Sequence, residues 1–536
     1  MRTLLTGGKI IDGSGSEGYD GHVVLEGDTI KAVGAGKGPE GFAGEIIDTS
    51  GLAIAPGFID AHTHSDWFAA RSRPQPFFVP FVEQGITTQV VGNCGFSPFG
   101  YARDTAYRHL SGGGLFSPGD AEGDFSSFEG WRVAAEARTP VNLVPLQGHG
   151  AIRTGLSGYD SRPLDEAGMR GLAAKIEESY EQGVFGLSLG LMYEPDRYAT
   201  PAELRQAAEL TRRHGGILSV HGRAYSAAST SYGLPFGGTP HNLRALDEML
   251  ALGLETGVKL QYSHLIFVGR STWRTMDAAL DRIDAAREKG LDVGFDIFSP
   301  SFGVSVITVV LPSWYLKTPK AKRNSPVRRA RLAVEIGVTR RLLGFDFSDM
   351  QVAWVGPEGG ALVGKRISGI AREWGVDDLT AYLRLVDMCD GSGRINLYRY
   401  YDDGGMVARL LGREDCLCMT DAWMEDDGLQ NAAAYMAFPK FLAMSRTEPS
   451  LPLHTVVHRM TGATAARYGL RDRGLLRAGY AADVTVFDPA TVAPDGEQPR
   501  RPLGIRHVYV NGRAIVRDGR ADEAAMAGAG HVLRRQ

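Results

Sequence analysis

The chain has 536 residues, more than one ordinary domain needs, and 43% hydrophobic with 22% charged residues describe a globular, enzyme-sized protein rather than a disordered one. A formal net charge of −4 with both signs well mixed gives no electrostatic reason to expect nucleic acid or an anionic membrane as partner, which leaves small molecules as the expected ligands. The opening segment MRTLLTGGKIIDGSG lacks the apolar stretch of a secretory signal, no run of about 18 apolar residues occurs, and four cysteines are too few for a disulfide framework, so a cytoplasmic protein is expected.

Residues 1–55 alternate short apolar runs with Gly and Asp turns (LLTGGKIIDGSG, HVVLEGDTIKAVG, EIIDTSGLAIAPG), a texture that predicts short strands. It returns within 471–536, in AADVTVFDPATV and GIRHVYVNGRAIVRDGR, so both ends of the chain are predicted to build one small β-sandwich domain around the middle. From 56 to 425, strand-like runs (TTQVVGN, NLVPLQGHG, GVFGLSLGL, GILSVHGR, KLQYSHLIFVG, LDVGFDIF, DCLCMTD) alternate with helical patterns such as DEAGMRGLAAKIEESYEQG and NLRALDEMLALGLETG. This alternation predicts an α/β fold of the TIM-like (β/α)8 barrel type, whose reactive side chains belong at the C-terminal strand ends. Residues 426–470 read as a helical C-terminal part of the catalytic domain. Two stretches exceed a minimal barrel: a Gly- and Ser-rich connection at 97–130, of the length that lids and binding loops have, and an insertion near 313–345 carrying the basic run KTPKAKRNSPVRRARL, read as a solvated helix face.

Within APGFIDAHTHSD, His62 and His64 are two apart, so on a strand both imidazoles point to one face and can share one ion. An HxH pair alone is weak evidence. It gains weight because His221 ends GILSVH, His264 ends KLQYSH and Asp421 ends DCLCMTD, each where a barrel strand delivers a side chain to the mouth.

A PGFIDxHxH motif after a β-rich N-terminus, followed by His, His and Asp on later strands, resembles the amidohydrolase superfamily. Many of its two-metal members bridge the ions with a carboxylated lysine on the fourth strand, whereas GVFGLSLGLMYEP has no lysine. What stands in its place is Cys94 in the GNCG turn after the second strand. That turn, with GLSLGLMY, GYAADVTVFDP and VYVNGR, is similar to the N-acyl-D-amino-acid deacylases, over nearly the whole chain. The resemblance implies a zinc centre of one or two ions: Cys94, His221 and His264 in a tight site, and His62, His64 and Asp421 in a second. A thiolate is a good zinc ligand and loses its proton on binding. Cys389, Cys416 and Cys418 carry no such motif and are expected only to pack.

The chemistry so implied is hydrolysis of a small-molecule amide. Zn²⁺ supplies a nucleophile at neutral pH and polarises a carbonyl. Asp421 is the expected general base and then general acid toward the leaving nitrogen. His149 in LQGHG, Tyr193 in GLMYEP and Arg223 in VHGR match family motif positions and are expected to bind substrate or a developing oxyanion.

The sequence also departs from the family. Where the deacylases carry SHxK, this chain has Ser263-His264-Leu265-Ile266; their DxYPY is Asp296-Ile297-Phe298-Ser299-Pro300; and their HPRxxGTF is represented only by NAAAYMAFPKFL, without the arginine. These changes replace a carboxylate-binding pocket with an apolar one, where an unpartnered carboxylate is costly. The expected substrate is therefore a larger, more apolar amide, a cyclic amide or an ester, unless Arg223 or a basic residue of 313–345 supplies an anion contact. A metal-dependent decarboxylation or carbon–carbon cleavage on the same barrel is the rival chemistry, since fold does not fix reaction. A non-enzymatic binding module is the rival class, and the six retained ligands speak against it.

Overall fold

The structure is a computed structural model that describes residues 2–535 apart from 113–114, 230, 233–237, 324, 403–404 and 497–499. Residues 113–114 of the 97–130 connection and residue 324 of the basic stretch thus lie outside the described residues.

The N-terminal strands are β1 (Arg2–Ile10), β2 (Tyr19–Glu26), β3 (Thr29–Ala35), β4 (Glu45–Asp48) and β5 (Ala53–Pro56). The barrel strands follow: β6 (Phe58–Asp60), β7 (Ile86–Val91), β8 (Asn142–Gly148), β9 (Gly186–Gly190), β10 (Ile217–His221), β11 (Lys259–Tyr262) and β12 (Val293–Ile297). After three inserted strands, β13 (Phe302–Val306), β14 (Met350–Trp354) and β15 (Arg394–Tyr398), comes the last barrel strand, β16 (Cys416–Cys418). The chain ends with β17 (Val484–Phe487), a two-stranded ribbon of β18 (Ala493–Pro494) and β19 (Pro502–Leu503), then β20 (Ile505–Val510), β21 (Arg513–Arg517) and β22 (Arg520–Ala521).

Strands β6 to β12 and β16 pair in sequence order as a parallel sheet. Its two edges meet: Ala61 N–H donates to Cys418 O at 3.1 Å, Asp421 N–H to His62 O at 3.0 Å and His64 N–H to Ala422 O at 3.2 Å. The sheet thereby closes as the expected eight-stranded barrel. Strands β7 to β10 are covered on both faces and buried at every position, their apolar residues interrupted by buried polar ones such as Gln89, Gln147 and Ser188. The crossover helices carry their own start and stop signals. In Glu166–Gln182, Asp165 accepts from Gly168 N–H at 2.8 Å, Leu172, Ile176 and Tyr180 form the buried stripe, and Gly183 ends the helix in the left-handed conformation.

The terminal strands form one mixed sheet in the order β22-β21-β20-β17-β5-β1-β2-β3, with β4 on β1. Its centre joins the two chain ends, since Ile54 of β5 pairs with Val486 of β17. It has an apolar core of its own, including Leu5, Ile10, Val23, Ile54, Val484 and Tyr509. Buried Asp483 fastens it to the barrel, accepting from Asn142 Nδ2 at 3.0 Å, Asn511 N–H at 2.8 Å and Arg473 Nη1 at 2.6 Å.

Between β12 and β16 the chain leaves the barrel. Strands β13, β15 and β14 form an antiparallel sheet, with helix Pro326–Leu343 before β14 and helices Ile367–Trp374 and Asp378–Met388 after it. The basic stretch 313–345 is one part of this larger unit, which docks on the loop following β11: Phe267 N–H donates to Tyr400 O at 3.0 Å and Gly269 N–H to Arg399 O at 2.8 Å. No helix among the described residues is long and apolar enough to cross a membrane.

Candidate metal centre

Every predicted ligand lies at or just past the C-terminal end of a barrel strand: His62 and His64 after β6, Cys94 after β7, His221 at the end of β10, His264 after β11 and Asp421 after β16. Parallel register brings these ends to one rim. The backbone then turns sharply to aim the side chains inward. Cys94 (φ 55°), His264 (φ 37°) and Asp421 (φ 49°) all occupy the left-handed region, which costs a non-glycine residue about 1–3 kcal/mol and persists only where the surroundings enforce it.

The donor atoms converge. Cys94 Sγ lies 3.3 Å from His62 Nε2, 3.4 Å from His221 Nδ1 and 3.6 Å from His264 Nε2. Asp421 Oδ1 lies 3.4 Å from His62 Nε2 and 3.6 Å from His64 Nε2. One donor atom each from His62, Cys94, His264 and Asp421 falls within 4.8 Å of all the others. Tetrahedral ligands roughly 2.0–2.3 Å from a zinc ion stand about 3.3–3.8 Å apart, so the individual contacts of 3.3–3.6 Å fit such an ion, as does the mixed N, S and O donor set. Donors of both expected sets stand close together: His62 Nε2 lies near Cys94 Sγ and near Asp421 Oδ1.

Electrostatics prepares the donors. Burial, reinforced by the neighbouring histidines, pushes His62 and His221 well below the ordinary imidazole value, and burial lowers His264. These rings are neutral near pH 7, the form that binds metal. Burial and the charges of Asp421 and Asp296 push the Cys94 thiol up, so without a cation it keeps its proton.

Two buried carboxyls beneath the donors were not singled out as functional from sequence. Asp60 accepts from Thr420 N–H at 2.9 Å, Thr420 Oγ1 at 2.7 Å and His62 N–H at 3.2 Å, which ties the first strand end to the last. Asp296 accepts from His264 N–H at 2.7 Å and Gln261 Nε2 at 2.8 Å and stands 3.9 Å from His62 Nδ1. Burial raises Asp60 to about 8 and Asp296 to about 7. Asp60 was legible as the aspartate of FIDAHTH and Asp296 as that of DIFSP, but their partners Thr420, Gln261 and His264 come from other strand ends far along the chain.

The mouth is largely aromatic. Phe116, from the 97–130 connection, contacts Phe96, Trp67 and Trp423 at centroid distances of 5.3, 5.6 and 5.0 Å as well as His64. That connection is latched by Arg71, which donates to Asp426 at 2.7 Å and to Ser117 O at 3.3 Å, and by Ser72, bonded to Asp120. Ile266 and Phe298, at the positions of the lost lysine and tyrosine, are both buried. Beside Phe298 stand Tyr400 at 6.0 Å and Tyr401 at 5.8 Å, contributed by the segment that follows β15. No local motif marks these tyrosines in the sequence.

Of the expected substrate contacts, Tyr193 lies at the centre, its ring 4.6 Å from His221. Arg223 is engaged by protein groups: Nε donates to Glu248 at 2.9 Å, Nη1 to Arg197 O at 2.8 Å and Nη2 to Ala199 O at 3.1 Å. His149 is fully buried, with Nδ1 donating to Asp196 at 2.7 Å. Cys389, Cys416 and Cys418 are buried free thiols outside the donor cluster.

Comparison with known proteins gives three kinds of likeness. A model described as the amidohydrolase family matches residues 423–516. N-acyl-D-aspartate deacylase of Alcaligenes xylosoxydans xylosoxydans is 30% identical over 519 residues, covering 96% of this chain and 91% of the relative; D-aminoacylase of the same organism is 31% identical over 543 residues, covering 99% and 97%. Among solved structures, N-acyl-D-glutamate deacylase from Bordetella bronchiseptica, complexed with zinc and a phosphonate inhibitor, superposes with a TM-score of 0.78 at 26% identity over 99% of each chain.

Proposed function

Because this chain belongs to the D-aminoacylase, or N-acyl-D-amino-acid deacylase, family of the amidohydrolase superfamily, and is an amide-hydrolysing, metal-dependent enzyme of that kind, we propose that it cleaves N-acyl amides whose amine portion is apolar and uncharged, with zinc as its metal. The observation that carries this reading is the donor cluster of His62, Cys94, His264 and Asp421, with buried Ile266 and Phe298 standing at the positions where the deacylases carry a lysine and a tyrosine.

A divalent ion bound by these donors supplies Lewis acidity and a nucleophile at neutral pH. The chain's own residues do the rest. Asp421, a quarter exposed at its side chain and set beside His62 and His64, takes the proton of the attacking water and returns it to the leaving nitrogen. Tyr193, at the face of His221, is the substrate contact best placed for a developing oxyanion. Phe116, Trp67 and Trp423 exclude water and receive apolar substrate surface.

Several cations of the chain are committed to protein groups, which supports the choice of an uncharged substrate. Arg223 is held by Glu248, and within the insertion Arg329, Arg331 and Arg340 bond Thr380, Glu335 and Asp346. A substrate carboxylate brought against Ile266 and Phe298 would lose its hydration without gaining a partner.

The test is the zinc-loaded protein against a panel of N-acetyl-D-amino acids, apolar linear amides, cyclic amides and esters, scoring amine and acid release. Apolar linear amides are expected to exceed free N-acetyl-D-aspartate and N-acetyl-D-glutamate by at least about tenfold in kcat/KM, the effect of roughly 1.4 kcal/mol of unpaired charge. Preference for the free N-acetyl-D-amino acids overturns the pocket assignment, and CO₂ release in place of amine overturns hydrolysis.

A further inference from the structure

We propose that Asp196 and His149 are positioning residues that hold Cys94 in its ligating conformation, an inference that rests on the metal-centre reading above. The left-handed backbone of Cys94 does not sustain itself. Something must grip the turn Gly92–Gly95 from outside.

The grip comes from the ends of β8 and β9. Gly95 N–H donates to Ser188 Oγ at 3.0 Å, Ser188 Oγ donates to Gly92 O at 2.5 Å, and Ala151 N–H donates to Gly95 O at 3.0 Å. The fit leaves no room for side chains. A Cβ on Gly190 would stand 1.9 Å from Cys94 O, one on Gly148 2.5 Å from Gly95 O, and one on Gly95 2.5 Å from Asp196 Oδ2. Asp196 is the peg of this assembly. Its Oδ2 accepts from Gly190 N–H at 2.8 Å and faces the Cα of Gly95, while its Oδ1 accepts from His149 Nδ1 at 2.7 Å.

Asp196 is only 2% exposed, and a buried carboxylate needs compensation. The chain beyond it supplies this. His149 Nε2 faces Glu203 Oε1 at 3.5 Å, and Arg153 Nη1 holds both oxygens of Glu203 at 2.6 Å. Burial alone would lower His149, but the charge and hydrogen bond of Asp196, with Glu203 behind, raise it. The imidazole, set between two carboxylates, therefore orients Asp196 from the side away from Cys94. If the peg is loosened, Cys94 relaxes toward ordinary backbone angles and its Sγ leaves the other donors.

The experiment loads the full chain with cobalt(II) and measures affinity by chelator competition together with the thiolate-to-cobalt absorption band. Asp196→Asn and His149→Ala are expected to bind cobalt about 10–100-fold more weakly, the usual effect of removing a group that orients a ligand, with a diminished band. His149→Asn, whose amide places a donor where Nδ1 stood, is expected to restore both. Arg473→Lys, at the distant Asp483 junction, is the control that lowers the melting temperature and leaves the band alone. If Asp196→Asn does not fold, the His149 pair decides. Variants that lose stability while keeping wild-type affinity and band overturn the proposal. A wild-type protein that shows the band yet hydrolyses no amide sinks the substrate reading and leaves this inference standing.

Discussion

Phe116 lies stacked over His64, ring centroids 4.5 Å apart and planes at 28°, so a residue of the long connection after β7 seals one face of a candidate ligand. An aromatic pair of this geometry contributes about 0.5–1.5 kcal/mol beyond area burial. Phe116→Ala is expected to raise KM for apolar amides about threefold to tenfold with metal content unchanged. Steady-state kinetics alongside metal analysis checks this, and unaltered KM removes the connection from the substrate site.

The latch on that connection is separable from its tip. Arg71 reaches Asp426 and Ser117 O while its guanidinium lies 4.4 Å from the Phe77 ring. Arg71→Met keeps much of the packing and removes the charge-assisted hydrogen bonds. Limited proteolysis within 97–130 is expected to quicken by about a factor of five to ten, with the barrel core equally protected in both proteins. Equal nicking rates would show that the connection is held by its aromatic contacts alone.

Among the cluster's donors Asp421 is the one that is partly exposed, the access to solvent that its proposed role as proton carrier requires. Asp421→Asn preserves shape and removes the base. Turnover is expected to fall about 10²–10⁴-fold, with circular dichroism unchanged. Near-wild-type turnover transfers the proton to another group.

Metal affinity should depend on pH in a direction set by Cys94. Its thiol is raised above the ordinary value and is protonated at neutral pH, whereas His62, His221 and His264 are lowered and already neutral. Ligation therefore expels the thiol proton, and Kd is expected to fall about tenfold per pH unit between roughly pH 7 and 8. In Cys94→Ser the thiol contribution vanishes and affinity drops by more than about 100-fold, beyond the loss from an orienting group. Isothermal titration in buffers of differing ionisation enthalpy counts the protons. A flat profile for the wild type would show that Cys94 is not a ligand.

Much of this molecule could be read along the chain because the signals are local. The strand positions of β7 to β10 and the capped helix after Asp165 depend on neighbours a few positions away and form as their local pattern dictates, whereas His62 and His64, expected on a strand, lie just past the end of β6. The pairing of the two chain ends was legible from their shared strand texture. Residue types determined the chemistry of the donor set as well, since a thiol, imidazoles and a carboxylate at strand ends suit one kind of ion.

What the tertiary structure decided is who meets whom. Barrel closure sets Asp421 against His62, although their strands stand at opposite ends of the sheet order. It draws Cys94 between His62, His221 and His264, three residues brought from other strand ends. It commits Arg223 to Glu248 and His149 to Asp196, and it brings Phe116 and Tyr400 to the mouth from segments with no motif. The physical reason is that a hydrogen bond or ion pair depends on distance in space and carries no trace in local spacing. A histidine or arginine reads the same in sequence whether a substrate or a buried carboxylate takes its proton or its charge.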